Sequence, residues 1–371
     1  MTASASSKRI PITSYIRQND NVSFSFAQNK DTFQSGILGN EDTYLEGTLH
    51  LDYEKPTQIN RIVLNLKGEE KTKSYENQTL YTGAKLLVNR NYCIQDEEKT
   101  ITQLDVPFKV SLPHGLPESV TIYDDSGEEI GGINYVLGVI VERKGFLKTT
   151  QKVKIRCPLK KTLIMNTTAY QLCGNWGNLL NYSLELPQNN TFAINSSVSI
   201  PIKLRLFRSG ISIEKVDVTL KTFVNFSFSI PRRVSRKIKE ITVASTTVPR
   251  HELQENYGNR EYSLAAELDI PPGTKPTNTR PGTLIQIIHQ LCIKCHLRGA
   301  TDFVLKELIT IANIRQPLGF AKTFQKHVPL SLSSDEPNKA VRGEEDDYIY
   351  VYDQNNEQFY SYGISSGSEL E

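Results

Sequence analysis

The chain has 371 residues, enough for two domains of ordinary size, each with a sizeable core. Val, Ile and Thr supply 83 residues and Ala only 13, a balance that favours strands and excludes a helical bundle. Lys and Arg total 43 against 41 Asp and Glu, so the net charge of +2 carries no global excess pointing to nucleic acid.

The opening residues, Met1 to Tyr15, hold no apolar signal core, and no run of 18 apolar residues follows anywhere. The protein is therefore expected to meet the cytosol. In that setting its seven Asn-x-Ser/Thr triplets read as by-products of Asn- and Ser-rich loops. Over 45–53, Leu45, Gly47, Leu49, Leu51 and Tyr53 alternate with polar residues, which predicts a strand with one dry face. Glu54-Lys55-Pro56 then reads as a break, and Ile62, Leu64 and Leu66 resume the alternation. Tyr135, Leu137, Val139 and Val141 share a face further on. Lys152, Lys154 and Arg156 alternate with Val153, Ile155 and Cys157, so three cations line one side of one strand. Residues 1–160 form the first domain, 161–175 a polar linker, and 176–330 the second domain. Within that second domain Val198, Ile200, Ile202, Leu204 and Leu206 share a face, as do Ile285, Ile287, Leu291 and Ile293. Short strands punctuated by Pro, Gly and Asn predict an all-β chain of two tandem antiparallel sandwiches. From Asp335 onward ten acidic residues face two basic ones, so the tail carries about −8 and the body about +10. Residues 331–371 are expected to be an acidic, mostly disordered tail.

Several segments together resemble the arrestin family, most closely the fungal alpha-arrestins. Val106-Pro107-Phe108-Lys109-Val110-Ser111-Leu112-Pro113, then Gly115-Leu116-Pro117-Glu118-Ser119 and Gly132-Ile133-Asn134-Tyr135-Val136-Leu137, are similar to the arrestin amino-terminal domain. Trp176-Gly177 followed by Leu180 to Pro187, then Ser199 to Leu204, looks like the opening of the carboxy-terminal domain. Ile270-Pro271-Pro272 and Ile287 to Ile293 look like its closing strands. The resemblance covers about 20–315. It implies two arrestin-like sandwiches and a non-catalytic trafficking adaptor, cytoplasmic and peripheral at the plasma membrane or endosome. Such adaptors bind membrane cargo proteins and recruit a HECT-type ubiquitin ligase for endocytosis and sorting. The usual ligase contact, Pro-Pro-x-Tyr, is missing, since Pro271-Pro272 is followed by Gly273-Thr274. Ligase recruitment would then be indirect. The alternative is a structural retromer-like trafficking subunit, or a signalling scaffold, without ligase recruitment.

The residues offer no catalytic constellation, no cofactor fingerprint and no metal set. Cys292 and Cys295, three apart on a strand, fall on opposite faces and make a poor zinc pair. His289 falls in register with Ile287 and Leu291, as a core residue would. Asp124-Asp125 and Glu128-Glu129 read as a solvated hairpin tip. The candidate contacts for an anionic lipid surface or acidic cargo are Lys152, Lys154 and Arg156, with Arg232, Arg233, Arg236, Lys237 and Lys239. No nucleic-acid motif accompanies them. Tyr348-Ile349-Tyr350-Val351 fits Tyr-x-x-hydrophobic, so Tyr348 and Val351 form a candidate sorting signal. The same alternation offers a strand able to cap a sheet edge.

Overall fold

The computed structural model describes residues 15–19, 21–26, 33–39, 42–76, 79–144, 150–164, 170–187, 190–230, 233–256, 258–315, 348–353 and 358–363. Strands dominate, as the composition predicts, and the helical content among these residues is one three-residue 3-10 turn at Arg250–Glu252.

The first sandwich contains β1 (Tyr15–Asn19), β2 (Val22–Phe26), β3 (Gln34–Ser35), β4 (Thr43–Glu76), β5 (Thr79–Gln95), β6 (Lys99–Leu112), β7 (Val120–Tyr123), β8 (Glu129–Arg143) and β9 (Thr150–Arg156). All nine are hydrogen-bonded into one continuous sheet because β4 runs through both leaves. Its first part pairs with β2 and β6, and its second with β5 and β8. The break expected at Glu54-Lys55-Pro56 is a corner rather than an end. The pairing with β6 slips between Asp52 and Thr57, and the strand continues past it. A bulge of this kind bends a strand without terminating it, and proline is tolerated there. The two leaves close over Phe24, Leu45, Leu49, Leu64, Leu66, Phe108, Tyr135 and Leu137.

The second sandwich contains β10 (Thr162–Ile164), β11 (Tyr170–Trp176), β12 (Leu180–Leu186), β13 (Thr191–Ala193), β14 (Ser196–Leu206), β15 (Ser212–Ile230), β16 (Arg233–Pro249), β17 (Gln254–Asn256), β18 (Glu261–Ile270), β19 (Ile285–Arg298) and β20 (Phe303–Arg315). One leaf runs β11-β12-β14-β18-β17. The other runs β10-β20-β19-β15-β16, with β13 also on β20. The alternating positions 198–206 of β14 pack against Val216, Val218, Leu220, Leu291 and Ile293. The segment 161–175, expected to be a linker, instead supplies β10 and β11 to these two leaves. Parallel pairing of Thr162–Ile164 with Asn313–Arg315 fixes the chain as soon as it leaves the first sandwich.

Beyond the body, β21 (Tyr348–Asp353) and β22 (Gln358–Gly363) form a separate antiparallel hairpin, with Tyr348 opposite Gly363 and Val351 opposite Tyr360. The strand expected at Tyr348 to Tyr352 is present, paired with β22 and not with an edge of the body. The rest of the acidic tail lies outside the described residues.

The two sandwiches share a packed seam. Val224, Phe226 and Phe228 of β15, with Ile285 and Ile287 of β19, are buried in the core cluster of the first sandwich although their strands belong to the second. Phe226 and Phe228 stack with ring centroids 6.3 Å apart.

Candidate functional site: the turn-lined surface and the domain seam

Among the described residues no cluster of His, Cys, Asp and Glu is placed to hold a metal ion. Cys292 is half-buried and Cys295 fully buried on alternating positions of β19, and all five cysteines are free thiols. Burial pushes the Cys295 thiol up to about 12. His289 is fully buried, with Nδ1 2.8 Å from the Thr222 hydroxyl. Burial holds its imidazole down at about 4, so it sits neutral in the core.

The two basic segments lie on different sandwiches. Lys152, Lys154 and Arg156 are exposed on β9, which among the described residues pairs with β8 alone, with Val153 and Ile155 buried beneath. Arg156 donates to the Asn134 side chain at 2.8 Å. The second segment begins beside the β15–β16 turn. Arg232 lies outside the described residues, and Arg233 opens β16 opposite Ile230. Arg236 and Lys237 are exposed and have no carboxylate partner among the described residues. Lys239 differs from the expectation of a free contact. Its ammonium reaches back to the first sandwich, 2.7 Å from Asp125 and 3.1 Å from the Tyr123 carbonyl.

The 124–129 segment is the solvated hairpin tip expected, and that ion pair tethers it to the second sandwich although Asp125 stays 98% exposed. The Asp124 carboxylate accepts from the Ser126 amide at 2.9 Å, the Ser126 hydroxyl at 2.6 Å and the Glu128 amide at 2.8 Å, which fixes the turn. Asp125 then meets Lys239, and Glu128 meets Lys73 at 2.7 Å. Three hairpin ends thereby converge: the end of β4 with the start of β5, the β7–β8 turn, and the β15–β16 end. Between them lies a groove of about 290 Å³ lined by Tyr75, Asp124, Phe228, Lys237, Ile238 and Lys239 among others. Large apolar side chains are unusually exposed around it, Tyr75 at 56%, Tyr123 at 52% and Ile238 at 50%. Leu80, opposite Tyr75, is exposed as well. Apolar side chains mixed with unpartnered cations make a surface suited to a negatively charged, partly apolar partner.

Behind this surface the seam is held by side chains bonded to backbone across the domains. Thr72 donates to the Ser227 carbonyl at 2.8 Å. Lys85 donates to the Gly282 carbonyl and Arg280 to the Gly115 carbonyl. Glu70, fully buried, accepts from the Ile285 amide at 2.8 Å, and its second oxygen has no hydrogen-bond partner. Burial pushes its carboxyl up, against the amides of Leu284 and Ile285 and the charges of Lys85 and Arg280. At the chain crossing, Gln34 bonds both the carbonyl and the amide of Lys160, at 2.7 and 2.9 Å. Glu118 accepts from the Lys161 amide at 3.1 Å. Burial raises the Glu118 carboxyl to about 7, partly countered by that amide, Lys160, Lys161 and Asn313.

Sequence reasoning passed over Glu70, yet the signal was present. Ile62, Leu64, Leu66, Gly68, Glu70 and Thr72 are successive inward positions of β4, so a carboxyl occupied a core slot. Its neighbour Glu69 faces outward and pairs with Lys67 and with Lys71, the latter at 2.9 Å.

The architecture is thus an all-β pair of sandwiches joined by a packed, hydrogen-bonded seam. Residues 176–316 match the family model of the arrestin (or S-antigen) C-terminal domain, which supports an arrestin-like protein. No curated protein matches the chain. The matched span begins at the last residue of β11, so the sandwich extends upstream of it through β10 and most of β11.

Proposed function

We propose that the protein is a non-catalytic trafficking adaptor that binds membrane cargo through the surface where the three hairpin ends meet. The observation that carries this reading is the coincidence of exposed Tyr75, Tyr123 and Ile238 with the unpartnered cations Arg236 and Lys237, in a chain with an arrestin C-terminal domain. A cytoplasmic membrane face presents both anionic headgroups and acidic protein segments. Each near-surface cation adds about 1 kcal/mol there at low salt. The β9 cations Lys152, Lys154 and Arg156 offer a second contact of the same kind, and Tyr348 to Val351 a sorting signal for the assembled complex.

The adaptor links its cargo to ubiquitin-dependent endocytosis and sorting, peripheral at the plasma membrane or endosome. Without Pro-Pro-x-Tyr, a HECT-type ligase is reached through a partner that carries the motif. The test is affinity capture from intact cells under mild cross-linking, followed by mass spectrometry, with wild type compared against Arg236→Ala, Lys237→Ala. Integral membrane proteins recovered with a ubiquitin ligase by wild type, and depleted by the variant, are expected. Recovery of coat or retromer subunits alone, unchanged by the substitutions, would replace this reading with that of a structural trafficking subunit.

A further inference from the structure

The seam holds two carboxyl groups that no adaptor role requires. Glu70 projects from β4 of the first sandwich and takes the Ile285 amide of β19. Glu118 lies in the segment before β7 and takes the Lys161 amide, where the chain enters the second sandwich. Neither has an ion-pair partner among the described residues, although cations are near. The groups facing Glu70 are Lys85 of β5, Arg280 from the segment before β19, and the Tyr135 phenol of β8. Lys85 and Arg280 spend their hydrogen bonds on the carbonyls of Gly282 and Gly115, and Tyr135 donates to the Pro117 carbonyl at 2.7 Å. The groups facing Glu118 are Lys160 and Lys161 of the crossing and Asn313 of β20. It lines a cleft of about 360 Å³ between the sandwiches, with His114, Lys161 and Arg280 also on its walls.

Glu70 is fully buried and Glu118 half-buried on the cleft wall, so a carboxylate at either place loses water without gaining an ion-pair partner among the described residues. A neutral carboxyl keeps its acceptor oxygen for the backbone amide and avoids that cost. We infer that the seam is a proton-tightened latch, in which Glu70 and Glu118 hold the two sandwiches together more firmly when protonated.

The sign follows from the direction of the shift. Both groups are raised in the closed arrangement and return toward the ordinary carboxylate value when the seam opens to water. Their contribution to closure is complete below that ordinary value. It is lost as pH rises through the closed-state value, about 7 for Glu118. Between pH 5.5 and 7.5 the opening equilibrium should change by about tenfold, most of it from Glu118.

Amide exchange on the full chain reads this directly. Protection of the amides of Lys161, Leu284 and Ile285, corrected for the intrinsic pH dependence of exchange, is expected to fall about tenfold from pH 5.5 to 7.5. Glu118→Gln combined with Glu70→Gln keeps the acceptor oxygens and removes the charge. It should hold the low-pH protection across the range. A flat wild-type profile, or an unchanged slope in the double variant, would overturn the latch. Should the double variant fail to fold, carboxyl-carbon NMR titration of wild type decides. Titration of Glu118 near the ordinary value refutes the proposal, and titration near neutral pH supports it. This inference concerns domain coupling alone and stands apart from the identity of any cargo.

Discussion

Phe226→Ala separates the seam from the cores on either side of it. Phe226 sits on a strand of the second sandwich, is 1% exposed, and packs in the core of the first, stacked on Phe228. Truncating a buried Phe costs about 3–5 kcal/mol, through lost transfer energy and the cavity left behind. Here most of that loss falls on the interaction between sandwiches, because the ring contacts the first core from a strand anchored in the second. The single tryptophan allows the two to be followed separately. Trp176 lies in the second sandwich against Phe303, with centroids 5.6 Å apart, so its fluorescence reports that unit while far-UV circular dichroism reports both. In urea, wild type should show coincident transitions. The Phe226→Ala protein should split, with dichroism lost ahead of fluorescence. Leu220→Ala, fully buried in the second core, should cost about 2–5 kcal/mol and move the fluorescence transition itself. A loss under about 1 kcal/mol for Phe226→Ala, or unsplit transitions at a reduced midpoint, would refute a seam built on that side chain.

Thr222→Val should cost about 1–3 kcal/mol in urea unfolding by removing its hydrogen bond to the buried His289 ring, while Thr222→Val with His289→Leu should cost less than the two single changes summed. Asp217 is raised by burial but held down to about 2 overall by bonds from Lys215, Thr247 and His296. Its contribution is present above the ordinary carboxylate value and lost as pH falls toward 2, so Asp217→Asn should flatten the acid limb of thermal stability between about pH 4 and 2. Binding to liposomes with anionic headgroups should weaken several-fold with Arg236→Ala, Lys237→Ala, and more at low salt than at high salt in a sedimentation assay. Deletion after Ser334 removes about −8 of charge and should tighten that same binding, with equal binding by both proteins marking the tail as a bystander.

Period-two alternation found the strands that lie wholly in one core, and it found them because one face is dry and one wet. Leu45 to Tyr53 and Val198 to Leu206 are of this kind. It failed at corners and crossings. Lys55-Pro56 carries the composition of a turn, yet the strand bends and continues because proline needs no ladder bond at a bulge. The stretch 161–175 is polar, and its two strands are short and lie at sheet edges, where burial imposes little pattern. The cations of 231–239 were legible as a group, but not the partner of Lys239, since Asp125 is 114 residues away in sequence. Exposure of Tyr75 and Tyr123 was hidden for the same reason. A tyrosine on a strand says nothing about which neighbours stop short of covering it.

Hidden most deeply was the sharing of the β15–β19 ladder by both cores. Val216, Val218, Leu220, Val224, Phe226 and Phe228 lie on one face of β15, but the first three belong to the second core and the last three to the first. The partner strand divides at the same level, with Leu291 and Ile293 on one side and Ile285 and Ile287 on the other. Thr222 and His289 are cross-strand partners at the division, a buried polar pair where one apolar cluster gives way to the next. An unbroken alternation of apolar residues thus describes a ladder that passes from core to core, with a single polar rung between. Such a ladder makes the junction stiff along its length, so relative motion of the sandwiches must open the side-chain bonds around it, those of Glu70, Thr72, Lys85 and Arg280. Phe226 and Phe228 of that ladder also line the groove where Tyr75, Ile238 and Lys237 gather, so the same two rings fill the seam and wall the groove.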